Sequence, residues 1–215
     1  MAAHYSTLLI GGSGTIGSGL RTYLPRLDAR YHIVSLDLPG ARDKANEDDA
    51  QRAFVELDLC EDPEAFGALL ADYDLVVYLA RKNPLQEMNA MTDLVFEAVL
   101  GQENPPMMVA SSSVHAVDGL YSFNDENSVY WPMADRNFDA VNPWPERISA
   151  KTPAHAPNDY AREKEYAEQW CQKMADRGHS AVAARWGGIN EHNAVVEVTE
   201  RGYFSVWCHQ EDAAR

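Results

Sequence analysis

A tyrosine and a lysine four residues apart, Tyr160 and Lys164, are the pair in this sequence best suited to move a proton. Four residues is about one helical turn, so in a helix the two side chains lie on the same face. An ammonium group beside a phenol stabilises the phenolate, and such a tyrosine takes a proton from a substrate hydroxyl while hydride leaves the carbon. An exposed helical pair without chemistry is the alternative, because this spacing is frequent by chance.

A run of three serines, Ser111 to Ser113, supplies hydroxyls that can hold the same substrate oxygen. The run follows the apolar segment 107–110, which has the length of a buried strand. Both Ser112 and Ser113 are candidates for the hydroxyl that orients the substrate. His115 follows two residues later. It either contacts substrate hydroxyls at the mouth of the site or bonds to the loop backbone.

Three glycines, spaced as Gly11-x-x-Gly14-x-x-Gly17, predict a dinucleotide site. They follow an apolar run at 8–10 and open a segment of helical periodicity, which gives the order strand, glycine turn, helix. Such glycines let a pyrophosphate approach the helix N-terminus, whose N–H groups attract anions. Asp37 lies twenty residues beyond Gly17. An acid there accepts hydrogen bonds from both hydroxyls of an adenosine ribose and repels a 2′-phosphate, so NAD is favoured over NADP.

A second acid, Asp58, ends the strand pattern at 53–58. We expect it to accept a hydrogen bond from the adenine amino group. Two alternatives stay open: Asp58 caps the helix that begins near Pro63, or it is a solvated strand end.

Alternating strands and helices must position these residues. The patterns predict strands at 8–10, 31–37, 53–58, 74–80, 107–110 and 180–184, and helices after Gly17, from Pro63, at 85–100 and at 159–177. This alternation predicts an α/β fold, a Rossmann-like doubly wound parallel sheet with helices on both faces. Ligands bind beyond the carboxyl ends of the strands in such sheets, where the glycines, the two acids and the serines all fall.

The periodicity stops between residues 118 and 158, in a stretch that contains five prolines together with Trp131 and Trp144. The aromatic residues favour an ordered, packed excursion over a flexible linker. We expect one domain, 1–215, in which this excursion and a reduced C-terminal segment, 186–215, lie on the substrate side.

The composition indicates an acidic globular protein. The chain is 46% hydrophobic and 24% charged, which excludes disordered and collagen-like classes. Its apolar runs are too short to span a bilayer, and no signal peptide is evident, so we expect a cytoplasmic protein without a membrane partner. A net charge of −15 repels nucleic acid. The chain has only five lysines, and acidic, lysine-poor proteins are typical of salt-loving organisms; an ordinary acidic cytosolic protein is the alternative.

The cysteines and histidines do not have the spacing of a zinc site, so we expect no bound metal. Three cysteines are scattered along the chain, and we expect free thiols at Cys60, Cys171 and Cys208.

Together these motifs resemble the extended short-chain dehydrogenase/reductases, the NAD-dependent epimerase/dehydratase family. The resemblance covers nearly the whole chain and rests on the segments GGSGTIG, SLDLP, ELDL, VVYLA, ASSS and YAREK. Within the family, the sequence is most similar to uronate dehydrogenases and the haloarchaeal NAD-dependent glucose-6-phosphate dehydrogenase. Those proteins carry an Arg-x-Gly motif after the sixth strand, seen here as Arg185-Trp-Gly-Gly188.

The resemblance implies an NAD-dependent oxidoreductase that acts on the hydroxyl or lactol of a sugar, sugar acid or sugar phosphate. Tyr160 is then the base, Lys164 tunes it, and Ser112 or Ser113 orients the substrate. Substrate contacts are implied for His115, Gly188 and Arg201, the last because the matching arginine of uronate dehydrogenases binds the substrate carboxylate. A homodimer is expected. Cofactor contacts are implied for Gly11, Gly14, Thr15, Ile16, Gly17, Asp37, Asp58, Leu59, Leu79, Ala80, Arg81, Tyr160 and Lys164.

Two other functions fit the same motifs: a nucleotide-sugar epimerase or dehydratase with tightly bound NAD, and a non-catalytic NAD-binding regulator. The sequence departs from the family at Arg81-Lys82-Asn83, where two small residues are usual, and it ends where relatives continue for several helices. The first departure predicts extra positive charge near the nicotinamide. The second leaves two alternatives open, a truncated copy or a minimal substrate lid.

Overall fold

Six parallel strands form the central sheet of the protein, in the order β3-β2-β1-β4-β5-β6. A computed structural model describes residues 4–41, 53–121, 127–144, 148–190 and 207–215. The strand order reverses between β1 and β4, which is where doubly wound sheets bind ligands. The predicted α/β Rossmann-like fold is therefore confirmed. The strands are β1 Tyr5–Ile10, β2 Tyr31–Asp37, β3 Phe54–Glu56, β4 Leu75–Tyr78, β5 Met107–Ser113 and β6 Ala181–Trp186.

Four helices follow the strands as the periodicity predicts: α1 Thr15–Leu27, α2 Pro63–Leu70, α3 Leu85–Leu100 and α5 Asp159–Asp176. Two short helices, α4 Tyr130–Ala134 and α6 Gln210–Ala214, were not predicted. One 3₁₀ helix, Val114–Tyr121, leads into the excursion, and a second, Phe138–Ala140, lies within it. A small parallel sheet pairs β7 Gly188–Asn190 with β8 Trp207–His209. In the described part of the chain, no helix is long and apolar enough to cross a bilayer.

The two faces of the sheet are covered by different helices. Helices α2, α3 and α5 cover one face, where Phe66, Phe96 and Trp170 are buried, and the rings of Phe96 and Trp170 stack. Helices α1 and α6 cover the other face, where Leu9 and Leu20 are buried. Each fully buried side chain of this size contributes about 1.5–3 kcal/mol, so both faces stabilise the sheet.

The carboxyl ends of four strands differ from the sequence prediction: β5 and β6 extend further, and β3 and β4 end earlier. Strand β5 extends through Ser113, because its last residues pair with β6 in the register Ser111–Ala184, Ser112–Arg185 and Ser113–Trp186. Strands β3 and β4 are shorter than predicted, so Asp58 and Ala80 lie in the loops that follow them. All of these residues remain at the carboxyl edge of the sheet.

The excursion returns to the sheet edge at His155. The backbone N–H of Gly119 donates to the His155 carbonyl at 2.9 Å, and the His155 N–H donates to the Ala116 carbonyl at 2.7 Å. Trp144 does not pack in the interior of the protein as expected, because it is 61% exposed. Its ring stacks instead on exposed Phe138, with centroids 6.1 Å apart.

Candidate active site

The glycine turn after β1 leaves space for a ligand in front of α1. Gly11 has a φ of +81°, and a Cβ atom there would lie 2.5 Å from the Ala80 nitrogen. A Cβ on Gly17 would overlap the Gly12 carbonyl. A Cβ on Gly14, in contrast, would meet no atom of the described residues outside its chain neighbours nearer than the Gly11 oxygen at 3.6 Å. The glycines at 11 and 17 are needed for internal packing, whereas Gly14 leaves open space in front of α1.

The N-terminus of α1 borders that open space. Gly14 is its N-cap, and neither a capping side chain nor an acidic residue occupies its first turn. The N–H groups of this turn and the positive end of the helix dipole therefore favour an anion. These residues fit the pyrophosphate of NAD.

Asp37 borders the same turn. One carboxylate oxygen accepts a hydrogen bond from the Ser13 N–H and the other from the Leu38 N–H, each at 2.9 Å. The carboxylate is thereby fixed at the end of β2 beside the glycine turn, where its predicted role toward the adenosine ribose remains a prediction.

Asp58 bonds within its own turn, because its carboxylate accepts from the Cys60 N–H at 2.9 Å. The cap of α2 is Asp62, which accepts from the Ala65 N–H at 2.9 Å, so the alternative of Asp58 as that helix cap is wrong. Leu59, Leu79 and Ala80 lie in the loops at this edge, with Leu59 buried.

A buried arginine beneath the glycine turn was missed by the sequence analysis. Arg21, on α1, donates to the Gly12 carbonyl and to Ser35 Oγ, the latter at 3.3 Å. It fixes the turn and places a positive charge beneath it. Its signal in the sequence is its position beside Leu20, within the apolar stripe of the helix.

Three loops and helices converge on the ring of Tyr160, near the start of α5. The Arg81 guanidinium carbon, from the loop after β4, lies 4.6 Å from the ring centroid. The His115 ring, after β5, packs edge-on with centroids 5.8 Å apart. Lys164 Nζ lies 5.5 Å from the same centroid. The predicted pairing of Tyr160 and Lys164 on one helix is thus present, with two further groups around it.

Lys164 is buried beside a carboxylate that the sequence analysis did not single out. Its Nζ lies 3.3 Å from Oε1 of Glu163, and both residues are only 3% exposed. Burial lowers the pKa of Lys164, and Arg81 lowers it further, while Glu163 opposes both effects. Glu163 lies three residues after Tyr160, so helical spacing places it near the phenol but does not reveal its pairing with Arg81.

The two candidate serines lie on opposite sides of β5, as strand alternation requires. Ser112 Oγ donates to Glu168 Oε1 at 2.5 Å, and Glu168 also accepts from Arg185 Nε and from an Arg185 terminal nitrogen, both at 2.7 Å. Ser113 Oγ accepts from the His115 N–H at 3.2 Å. Within the described contacts, the Ser112 hydroxyl donates to Glu168, whereas the Ser113 hydroxyl only accepts a hydrogen bond. Ser113 is therefore better placed to donate to a substrate.

The His115 ring bonds to a side chain. Its Nδ1 lies 2.5 Å from Oδ2 of Asp118, and a carboxylate at this nitrogen fixes the orientation of the ring. Of the other substrate-side residues, Gly188 lies in β7 opposite Trp207, and Arg201 lies outside the described residues. Ile16 packs on the α1 side of the sheet, and the Thr15 carbonyl accepts from Gln210 Nε2 at 2.7 Å.

The three cysteines are free thiols, as predicted. Burial raises the pKa of Cys171 to about 12, which keeps this thiol protonated.

Comparison with solved structures identifies the same fold in sugar-nucleotide enzymes. A UDP-Glc/GlcNAc 4-epimerase from Campylobacter jejuni has a TM-score of 0.65 at 17% identity, with 98% of this chain and 72% of that chain covered. A dTDP-glucose 4,6-dehydratase from Bacillus anthracis in complex with NAD has a TM-score of 0.62 at 16% identity, with 87% and 56% covered. A UDP-glucose 4-epimerase from Thermus thermophilus in complex with NAD has a TM-score of 0.60 at 19% identity, with 86% and 56% covered.

These likenesses concern the fold, and this chain spans only 56% of the length of the last two proteins. A search of curated proteins finds no match.

The family assignment rests on the sequence itself. The profile of the NAD dependent epimerase/dehydratase family matches residues 7–187, which span the sheet from β1 to β6 and include the glycine turn, Tyr160 and Lys164. The family is NAD-dependent, so the prediction of NAD as cofactor is confirmed, as is the resemblance at the level of the family. The chain belongs to the NAD-dependent epimerase/dehydratase family.

Proposed function

We propose that this protein oxidises the hydroxyl or lactol of a sugar, sugar acid or sugar phosphate with NAD. The observation that carries the proposal is the convergence on Tyr160: Lys164, Arg81 and His115 surround its ring at the carboxyl edge of the sheet. Two cations beside a tyrosine favour its phenolate, which is the form that accepts a proton from a substrate hydroxyl.

Residues in different parts of the site would have different roles. The glycine turn and the first turn of α1 would hold the pyrophosphate of NAD, and Asp37 would hold the adenosine ribose. Bound NAD supplies the hydride acceptor. Tyr160 Oη takes the hydroxyl proton, Lys164 stabilises the phenolate, and Ser113 donates a hydrogen bond to the same substrate oxygen. His115, oriented by Asp118, contacts neighbouring substrate hydroxyls.

For the substrate, we favour an anionic sugar. Arg201 would bind its carboxylate or phosphate, because a guanidinium matches two oxygens with paired donors. Gly188 would leave room for the sugar, and the segments 118–158 and 186–215 would form the substrate side of one domain. A cytoplasmic homodimer with this small-molecule substrate remains our prediction.

An epimerase or dehydratase that acts on a nucleotide sugar is equally compatible with the family, and the solved structures described above are enzymes of this kind. Such a reaction regenerates NAD within the site, so the cofactor should stay bound through purification. The NAD content of the purified protein separates the two proposals.

The test is a substrate panel at molar KCl. Aldoses, sugar phosphates and uronates are each mixed with NAD, and NADH is followed by absorbance, while UDP- and dTDP-sugars are analysed for conversion without added NAD. We expect NADH formation with an anionic sugar. Conversion of a nucleotide sugar alone would favour the epimerase, and NAD binding without any conversion would favour a regulator.

A further inference from the structure

The most unusual group in the site is the carboxylate of Glu163, which is buried within the Tyr160–Lys164 turn. It forms a two-pronged ion pair with Arg81: Nε donates to Oε1 at 2.5 Å, and a terminal nitrogen donates to Oε2 at 3.0 Å. The same Oε1 lies 3.3 Å from Lys164 Nζ. One carboxylate therefore contacts both cations that flank the phenol ring.

The burial of Lys164 gives this contact its importance. An ammonium removed from water is unfavourable unless a charged partner compensates it, and the usual outcome is loss of its proton. The Lys164 side chain is 4% exposed, whereas that of Arg81 is 44% exposed. Arg81 stays hydrated without Glu163, but Lys164 has no such access to water.

The charges of Arg81, Lys164 and Glu163 together favour a phenolate at Tyr160. Arg81 and Lys164 carry two positive charges and Glu163 carries one negative charge, so the cluster has a net charge of +1 while Tyr160 is neutral. A phenolate at Tyr160 would bring the cluster to zero, which is the favourable balance for a group of charges in a site of low polarity.

We propose that Glu163 is a positioning residue of this site: its carboxylate keeps Lys164 charged and holds Arg81 against the Tyr160 ring. The role of Glu163 in proton transfer rests on the proposed function, but the effect of its carboxylate on Lys164 is tested without substrate. The groups that face Lys164 are Arg81 from the loop after β4 and Glu163 and Tyr160 from α5, and the His115–Asp118 pair lies beyond the phenol ring.

The experiment is an NMR titration of the full chain labelled with ¹³C at the lysine ε-carbons. The chain has only five lysines, and Lys164→Arg identifies the signal of Lys164. Glu163→Gln keeps the shape of the side chain and removes its charge, so it should lower the pKa of Lys164, with an acid dissociation constant at least about tenfold larger. Glu165→Gln, two residues further along α5, is the matched control and should leave the signal unchanged.

Two further variants keep the test decisive if Glu163→Gln does not fold. Arg81→Met removes a repelling cation from a half-exposed position and should raise the pKa of Lys164. Glu163→Asp keeps the charge, so Lys164 should titrate in this variant close to where it titrates in the unmodified protein.

Equal titration of Lys164 in Glu163→Gln and Glu165→Gln would overturn the proposal. So would an Arg81→Met variant in which the pKa of Lys164 falls. Failure of the proposed function would appear separately, as absence of NADH formation in the substrate panel, because the titration requires neither NAD nor sugar.

Discussion

Tyr160 is the residue around which side chains from three parts of the chain meet. Arg81 and His115 pack against its ring, and Lys164 lies one helical turn further along α5. The two cations stabilise a phenolate more than a neutral phenol, so their effect would be greatest during the proposed proton transfer. At this scale, the chemistry of the site depends on which groups are held near one ring.

Asp37 should determine the choice between the two nicotinamide cofactors. We expect the protein to bind NAD at least about tenfold more tightly than NADP, because a carboxylate fixed beside the ribose repels a 2′-phosphate. Asp37→Ala should reduce the difference in affinity between NAD and NADP. Calorimetric titration with both cofactors measures this difference, and equal affinity in the unmodified protein would contradict the role proposed for Asp37.

Arg201 should discriminate between anionic and neutral substrates. Arg201→Ala removes a charge-assisted pair of hydrogen bonds, so KM for a uronate or sugar phosphate should rise by about tenfold or more. KM for a neutral aldose should change little. The ratio of the two KM values is the measurement, and an equal rise for both sugars would remove the anionic-substrate proposal.

The glycine turn, Asp37, Tyr160 and Lys164 could be placed from spacing alone, because each function requires residues close together in the chain or at strand ends. Glu163 could not be assigned a role in this way, because its partner Arg81 is 82 residues away. A glutamate on a helix is expected to face water unless it is paired. The pairing arises only when the loop after β4 meets α5.

At the scale of secondary structure, the alternation of β5 separates two serines that the sequence analysis treated as equivalent. Ser112 bonds to Glu168 on α5, while Ser113 lies on the other side of the strand, beside His115. Adjacent residues of a strand point to opposite faces, so the two serines have different neighbours.

Single alanine substitutions should separate their roles. Ser113→Ala should reduce turnover by about 10²-fold or more with little change in stability, because it removes a donor to the substrate oxygen. Ser112→Ala should reduce the free energy of unfolding by about 1–3 kcal/mol, because Glu168 loses a hydrogen bond. Turnover and urea unfolding are measured for both variants. A large loss of turnover in Ser112→Ala alone would reverse the assignment.

The short elements at the C-terminal end were beyond prediction. Strands β7 and β8 have three residues each and helix α6 has five, which is too short for a hydrophobic period to register. Their formation depends on tertiary contacts instead: β7 pairs with β8, and Gln210 at the start of α6 bonds to the Thr15 carbonyl. The long strands and helices were predictable because their apolar periodicity reflects burial against the sheet.

At the scale of the whole molecule, the net charge of −15 should make stability depend on salt. Salt screens the repulsion among acidic groups, so we expect Tm to rise from low salt to molar KCl at pH 7. The same titration near the isoelectric point of about 4.7 is the control, because little net repulsion remains there to be screened. A flat or falling Tm at pH 7 would indicate an ordinary acidic protein.

The most direct test of the proposed chemistry is the comparison of Tyr160→Phe with the unmodified protein, using the best substrate of the panel. Turnover should fall by about 10²-fold or more, because the variant lacks the phenolate that we propose as the base. The dissociation constant of NAD should stay within about threefold, because the phenol acts on the chemical step. Lys164→Ala should reduce turnover and also raise the dissociation constant of NAD. Near-normal turnover in Tyr160→Phe would contradict the role of Tyr160 as the base.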